Sequence, residues 1–139
     1  MKKTYLQLGF TGKNCDAAFA FYETVFNTKR LMTMRWGEAP PEVPCPVGDE
    51  NLVLRTGIQL DNMTLMGADA HPGRGKPFGG FVISLDDPDE AEVKRLFAAL
   101  SEGGSVMMPL APTFWSPLFG SCTDKFGIDW MISVPGPQA

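Results

Sequence analysis

Tyr5-Leu-Gln-Leu-Gly-Phe10 leads into Asp16-Ala-Ala-Phe-Ala-Phe-Tyr-Glu-Thr-Val-Phe26. Seventy residues on, Phe81-Val-Ile-Ser-Leu85 leads into Asp89-Glu-Ala-Glu-Val-Lys-Arg-Leu-Phe-Ala-Ala-Leu100. Each pair is a short apolar strand followed by a helix-period stripe, and the chain therefore reads twice. In the first copy Ala18, Phe21, Tyr22, Val25 and Phe26 fall on one helix face; in the second, Val93, Leu96, Phe97 and Leu100 do. After each helix the order repeats: a strand, a break, then two strands around a tight turn. The fold predicted from this order is α+β, built from two βαβββ modules whose sheets form a cup with the helices outside. The whole of 1–139 reads as a single domain, with module 1 at about 1–69 and module 2 at about 79–134. Two like modules usually meet along a seam, and ligands favour such clefts.

Working outward, the first helix is expected to start near Asn14 or Asp16 and to end at Asn27. Lys29–Trp36 and 52–60 read as strands, and Asp61-Asn62 as the turn into strand 63–68. Between them, 37–50 carries Pro40, Pro41, Pro44 and Pro46 and reads as a long loop. A second Gly/Pro loop over 69–79 joins the modules and holds His71. Asp86 or Asp87 is expected to cap the second helix, with Pro88 in its first turn and Gly103-Gly104 as its stop. A short strand 105–108 ends before Pro109. Strands near 119–123 and 130–134 flank a turn at 124–127, and the tail from Pro135 reads as loose.

The chain has 139 residues, near the commonest size for one domain, and 44% of them are hydrophobic, which suffices for a core. The net charge is −4 and no basic cluster exceeds Lys2-Lys3, which argues against a nucleic-acid partner. No apolar stretch approaches the roughly 20 residues that cross a bilayer, so no membrane partner is expected. Met1-Lys2-Lys3 followed by a short strand does not read as a signal peptide. Cys15, Cys45 and Cys122 are odd in number and widely spaced, implying neither a disulfide framework nor a zinc site. A cytoplasmic protein is the expectation.

Several stretches, in order and over nearly the whole chain, carry a resemblance. They include Met34-Arg35-Trp36-Gly37-Glu38-Ala39-Pro40, Leu65-Met66-Gly67-Ala68-Asp69, Glu102-Gly103-Gly104, Met108-Pro109-Leu110, Thr113-Phe114-Trp115 and Asp124-Lys125-Phe126-Gly127 with Trp130-Met131. With these the chain resembles the PhnB-like branch of the glyoxalase, bleomycin-resistance and extradiol-dioxygenase superfamily, also called vicinal oxygen chelate. The resemblance implies a cupped double module, a homodimer and a small-molecule ligand. Some members carry a methyltransferase label. This chain has neither a glycine-rich turn after its opening strand nor the parallel sheet that S-adenosylmethionine enzymes use.

Enzymes of that superfamily hold a divalent metal with His, Gln and Glu from strands of both modules. Here the one histidine, His71, lies in a loop, and the strand position where relatives carry His reads as Arg55. Strand 130–134 has no Glu, strand 81–85 only Ser84, and Gln7 is the one donor left in strand one. The expectation is no metal and no other cofactor. Alternation puts Val53, Arg55, Gly57 and Gln59 on the cup side, with Leu54, Thr56, Ile58 and Leu60 toward the helix. Arg35 and Thr33 share a face of the preceding strand. Candidate ligand-binding residues are therefore Arg55 and Arg35 for an anion or carboxylate, Trp115 as a wall, and Gln7. The alternative for either arginine is an ion pair with Glu38, Asp49 or Glu50; for Trp115, plain packing; for Cys122, a core residue. The leading functional expectation is a metal-free small-molecule-binding protein. A metal-dependent lyase or dioxygenase and a drug-sequestering protein of the bleomycin-resistance type are the alternatives.

Overall fold

The computed structural model describes residues 1–43 and 48–137. The expectations for Pro44, Cys45, Pro46 and the last two residues lie outside the described residues. The chain separates into two compact units, Met1–Lys76 and Pro77–Ala139.

The first unit runs β1 (Leu6–Phe10), α1 (Cys15–Val25), β2 (Arg30–Arg35), β3 (Val53–Leu60) and β4 (Met63–Asp69). Its sheet has the order β1-β4-β3-β2, with β1 parallel to β4 and the other pairs antiparallel. The second unit repeats this with β5 (Ile83–Asp86), α2 (Glu90–Ser101), β6 (Ser105–Ala111), β7 (Leu118–Thr123) and β8 (Asp129–Val134), in the order β5-β8-β7-β6. The parallel pair in each unit follows from the helical crossover, because only a crossover can bring a later strand alongside the first in the same direction.

Helix α1 buries Cys15, Ala18, Phe19, Tyr22 and Val25. Phe10, Phe19 and Tyr22 form an edge-to-face chain at 6.0 and 5.7 Å. Phe19 is fully buried while Phe21 is only half so, a shift of the stripe from the expected one. Gly67 of β4 is where this packing is closest: a Cβ there would enter the Phe19 ring. Asn14 occupies the N-cap position but its side chain makes no cap bond. Asp69, at the end of β4, does the work instead. It is buried, its Oδ1 accepts the Cys15 N–H at 3.0 Å, and its Oδ2 accepts the Val53 N–H at 2.9 Å. One carboxylate thus joins the helix start to two strands. The helix ends as Asn27 takes a left-handed φ of 50°, which asparagine tolerates.

Further details differ from the sequence reading. Trp36–Glu38 form a short 3-10 turn, taking Trp36 from the end of the expected strand and the next two residues from the start of the expected loop. Asp89, not Asp86 or Asp87, caps α2: it accepts the Ala91 N–H at 3.0 Å, and Asp87 accepts the Asp89 N–H at 2.8 Å, so Pro88 lies outside the helix. Pro109 does not end β6. That strand is the sheet edge and its pairing is irregular between Met108 and Ala111, where a missing N–H costs little. Finally, β3 carries an extra residue: Met34 pairs Arg55 and Arg35 pairs Val53, so Leu54 is bulged. The alternation breaks there, and Val53 is wholly buried rather than on the open face with Arg55.

Candidate functional site

The side of the first sheet away from α1 is set by the alternation of Leu8, Phe10, Thr56, Ile58, Leu65 and Gly67, which are buried. Their neighbours point the other way. The register gives one row straight across this face: Gln7, Met66, Gly57 and Met32. Met66 is buried, and its thioether occupies the space over Gly57 where a Cβ would sit. Met32 and Met34 are left 37% and 43% exposed.

Arg55 and Tyr5 lie on opposite sides of that row and reach across it. The Arg55 Nη2 donates to the Tyr5 hydroxyl at 3.0 Å, and the guanidinium carbon stands 5.7 Å from the Tyr5 ring centre. Arg55 forms no ion pair among the described residues. Asp49, one of the acids expected to neutralise it, pairs with Lys13. The result is an exposed cation with spare N–H donors on a face that also carries methionine, tyrosine and glutamine side chains. Such a face can hold a carboxylate or another oxyanion by charge-assisted hydrogen bonds, with thioethers against the rest of the ligand.

Arg35 is placed elsewhere. Its Nη1 and Nη2 donate to Asp16 Oδ2 and Oδ1 at 2.7 and 3.1 Å, and Nη1 also reaches the Asn51 carbonyl at 3.0 Å. Arg30 shares Asp16 at 2.8 Å and binds Glu23 at 2.8 Å. Arg35 is therefore directed at α1 and is part of a structural ion-pair cluster, with an acid the sequence reading did not propose. Hydrogen bonding to Arg35 holds the Asp16 carboxyl below its ordinary range, with Arg30 adding to it and partial desolvation opposing.

Trp115 belongs to the second unit, where its ring meets Phe114 at 4.8 Å and Phe119 at 5.2 Å. Gln7 is exposed on β1, beside Met66. His71 is half-buried, edge-on to Trp36 at 6.1 Å, and lines a cavity of about 380 Å³ with Thr11, Lys13 and Leu52.

The donor set does not suit a divalent metal. Arg55 would repel one, the one carboxylate of β8, Asp129, accepts the Thr123 hydroxyl at 2.6 Å, and no group of three or more His, Cys, Asp or Glu converges among the described residues. The buried carboxylates are otherwise engaged: Asp69 as above, and Asp124 by the Phe126 and Ile128 N–H groups and the Trp130 indole at 2.8 to 3.1 Å. Neither described thiol suits nucleophilic work. Burial pushes Cys15 up to about 12 and Cys122 up to about 11.

Sequence reasoning missed Tyr5 and Asp69. Tyr5 could have been found by counting two back from Gln7 to the same face. Asp69 had a weaker signal, an acid at the end of an apolar strand.

The profile of a family described as 3-demethylubiquinone-9 3-methyltransferase matches residues 2–133. Protein YjdN of Escherichia coli (strain K12) is 33% identical over 139 residues, 94% of each chain. The crystal structure of protein PA1353 from Pseudomonas aeruginosa superposes with a TM-score of 0.85 at 34% identity, covering 97% of this chain and 98% of that one. A glyoxylase/bleomycin resistance protein/dioxygenase domain from Frankia sp. EAN1pec reaches 0.65 at 13% identity, covering 97% and 99%, and at that identity it shares the fold alone.

Proposed function

Because the chain belongs to the family described as 3-demethylubiquinone-9 3-methyltransferase, with the glyoxalase/bleomycin-resistance/dioxygenase fold, we propose that it binds a small organic anion on the open face of its first sheet, without a metal. The observation that carries this reading is Arg55, whose one described polar partner is the Tyr5 hydroxyl. An arginine recruited for structure is usually met by a carboxylate, as Arg30 and Arg35 are. Arg55 and Tyr5 bind the anionic group, Gln7 adds a side-chain amide, and Met32, Met34 and Met66 meet the carbon skeleton. Arg35 acts at one remove, by fixing β2 to α1, and Trp115 is assigned to the second unit. Methyl transfer is not part of the proposal. Each sheet has one parallel pair, and β1 is followed by Thr11-Gly12-Lys13-Asn14 rather than a glycine-rich turn.

The test is thermal denaturation with a panel of small carboxylates and phosphates. Wild type is expected to be stabilised by some members, and Arg55→Met to keep its own melting temperature while losing the response. A panel without effect on wild type, or an unchanged response in Arg55→Met, overturns the reading. Elemental analysis of protein purified without chelator is expected to find no stoichiometric transition metal; about one per chain, lost in Gln7→Ala, would replace this reading with a metal enzyme.

We further propose a cytoplasmic homodimer. One edge strand of each sheet exposes apolar side chains, with Leu31 and Met34 on β2 and Val106, Met107 and Met108 on β6, an arrangement that favours pairing with a second copy. Light scattering at micromolar concentration is expected to give twice the 15.2 kDa chain mass; a monomer removes this part of the proposal.

A further inference from the structure

The second unit holds a cavity that the reading above does not use. Its volume is about 510 Å³, within the roughly 300–1,000 Å³ usual for small-molecule sites. Phe114 and Trp115 form one side, Ser116 and Ser133 line it, and the tail from Val134 to Pro137 closes the other side. Phe114 is 98% exposed and Trp115 47%, while Phe119 beneath Trp115 is 6% exposed. Two large rings are thus presented to water on a firm base.

The base is firm because the loop that carries the rings is tied down. Thr113 Oγ1 accepts the Ser116 N–H at 3.0 Å, and Ser116 Oγ lies 2.6 Å from the Val134 carbonyl oxygen. The tail is fitted to it at Gly136, where any Cβ would overlap the Trp115 carbonyl.

One lining residue, Ser133, is hydrogen-bonded to a carboxylate. The Ser133 hydroxyl donates to Asp86 Oδ1 at 2.5 Å, and Asp86 has no cation partner among the described residues. The lining has no Lys, Arg or His among the described residues. An anion would meet a carboxylate here, and a neutral ring would gain the apolar term alone. An organic cation gains both the aromatic faces and the carboxylate.

We propose that this cavity binds a small organic cation, an amine or quaternary ammonium bearing an apolar group. Phe114 and Trp115 face the cation, and Asp86, held by Ser133, supplies the countercharge.

The chain has three tryptophans, of which Trp130 is buried with its indole N–H on Asp124. In a Trp36→Phe background, exposed-tryptophan fluorescence therefore reports Trp115. Benzyltrimethylammonium is titrated, with benzyl alcohol and benzoate as neutral and anionic counterparts. The expected result is saturable quenching by the cation, roughly five-fold or more tighter than by the alcohol, with benzoate weakest. Asp86→Asn should weaken the cation several-fold and leave the alcohol unchanged. Benzoate binding as tightly as the cation, an Asp86→Asn protein that binds it equally, or the absence of saturable quenching would each overturn the proposal. Calorimetric titration of Phe114→Ala, which alters an exposed side chain and leaves the fold intact, separates the rings' part from the charge: unchanged cation affinity there also overturns it.

Discussion

Two oxygens of Asp16 meet two nitrogens of Arg35, at 2.7 and 3.1 Å. This fork joins the first turn of α1 to the end of β2 across nineteen positions of chain. It decides that Arg35 is a structural cation and leaves Arg55 as the open one, although the two arginines are indistinguishable by residue type. Asp16 also takes Arg30, so one carboxylate satisfies two guanidinium groups.

Removing that carboxylate should show a defined pH signature. The Asp16 carboxyl is held below its ordinary range by Arg35 and Arg30. Its contribution is therefore present above the unfolded value of about 4 and is lost as pH falls through the folded value. Asp16→Asn is expected to cost roughly 1 kcal/mol at pH 7, the modest figure reflecting an acid that is 45% exposed and screened. Urea denaturation at pH 7 and below pH 4 checks this. A difference between the proteins that does not shrink at low pH would refute the assignment.

Asp69 should matter more. It is buried and accepts two backbone N–H groups that have no alternative partner once it is gone. Asp69→Ala is expected to lose roughly 2–4 kcal/mol, and Asp69→Asn less, since one amide oxygen can still accept. Denaturant midpoints of the two variants, in that order, are the measurement.

The Cys15 and Cys122 thiols should be inert in the native protein. Both are fully buried, and burial raises them to about 12 and about 11. Mass spectrometry after treatment with a disulfide reagent at pH 8 should find neither peptide labelled natively and both labelled in guanidinium. Rapid native labelling of either would mean that the helix faces open readily.

Gly67 should not accept a side chain. A Cβ there collides with Phe19 and presses on Phe10, both fully buried and unable to retreat. Gly67→Ala is expected to destabilise by about 1–3 kcal/mol, against a near-neutral effect for Gly9→Ala, whose Cβ meets nothing. Thermal denaturation of the pair settles it.

The doubled βαβββ order, both helices, the Asp61-Asn62 hairpin and the open-face position of Arg55 were legible in the sequence, because each depends on a local period or a turn preference acting over a few residues. The family resemblance was legible too, from motifs spread along the chain. What the tertiary structure alone decided was partnership. Leu54 bulges out of β3 and sends Val53 inward, Asp69 caps a helix 54 residues earlier in the chain, and Pro109 survives in β6 because that strand has a free edge. Whether an arginine meets an acid depends on which strand lies beneath which helix turn, a distance of ångströms between residues far apart in sequence. No periodicity encodes that distance. It is set only when the sheet register and the helix are both in place, and so it was the packed unit that paired Arg35 with Asp16 and left Arg55 facing Tyr5.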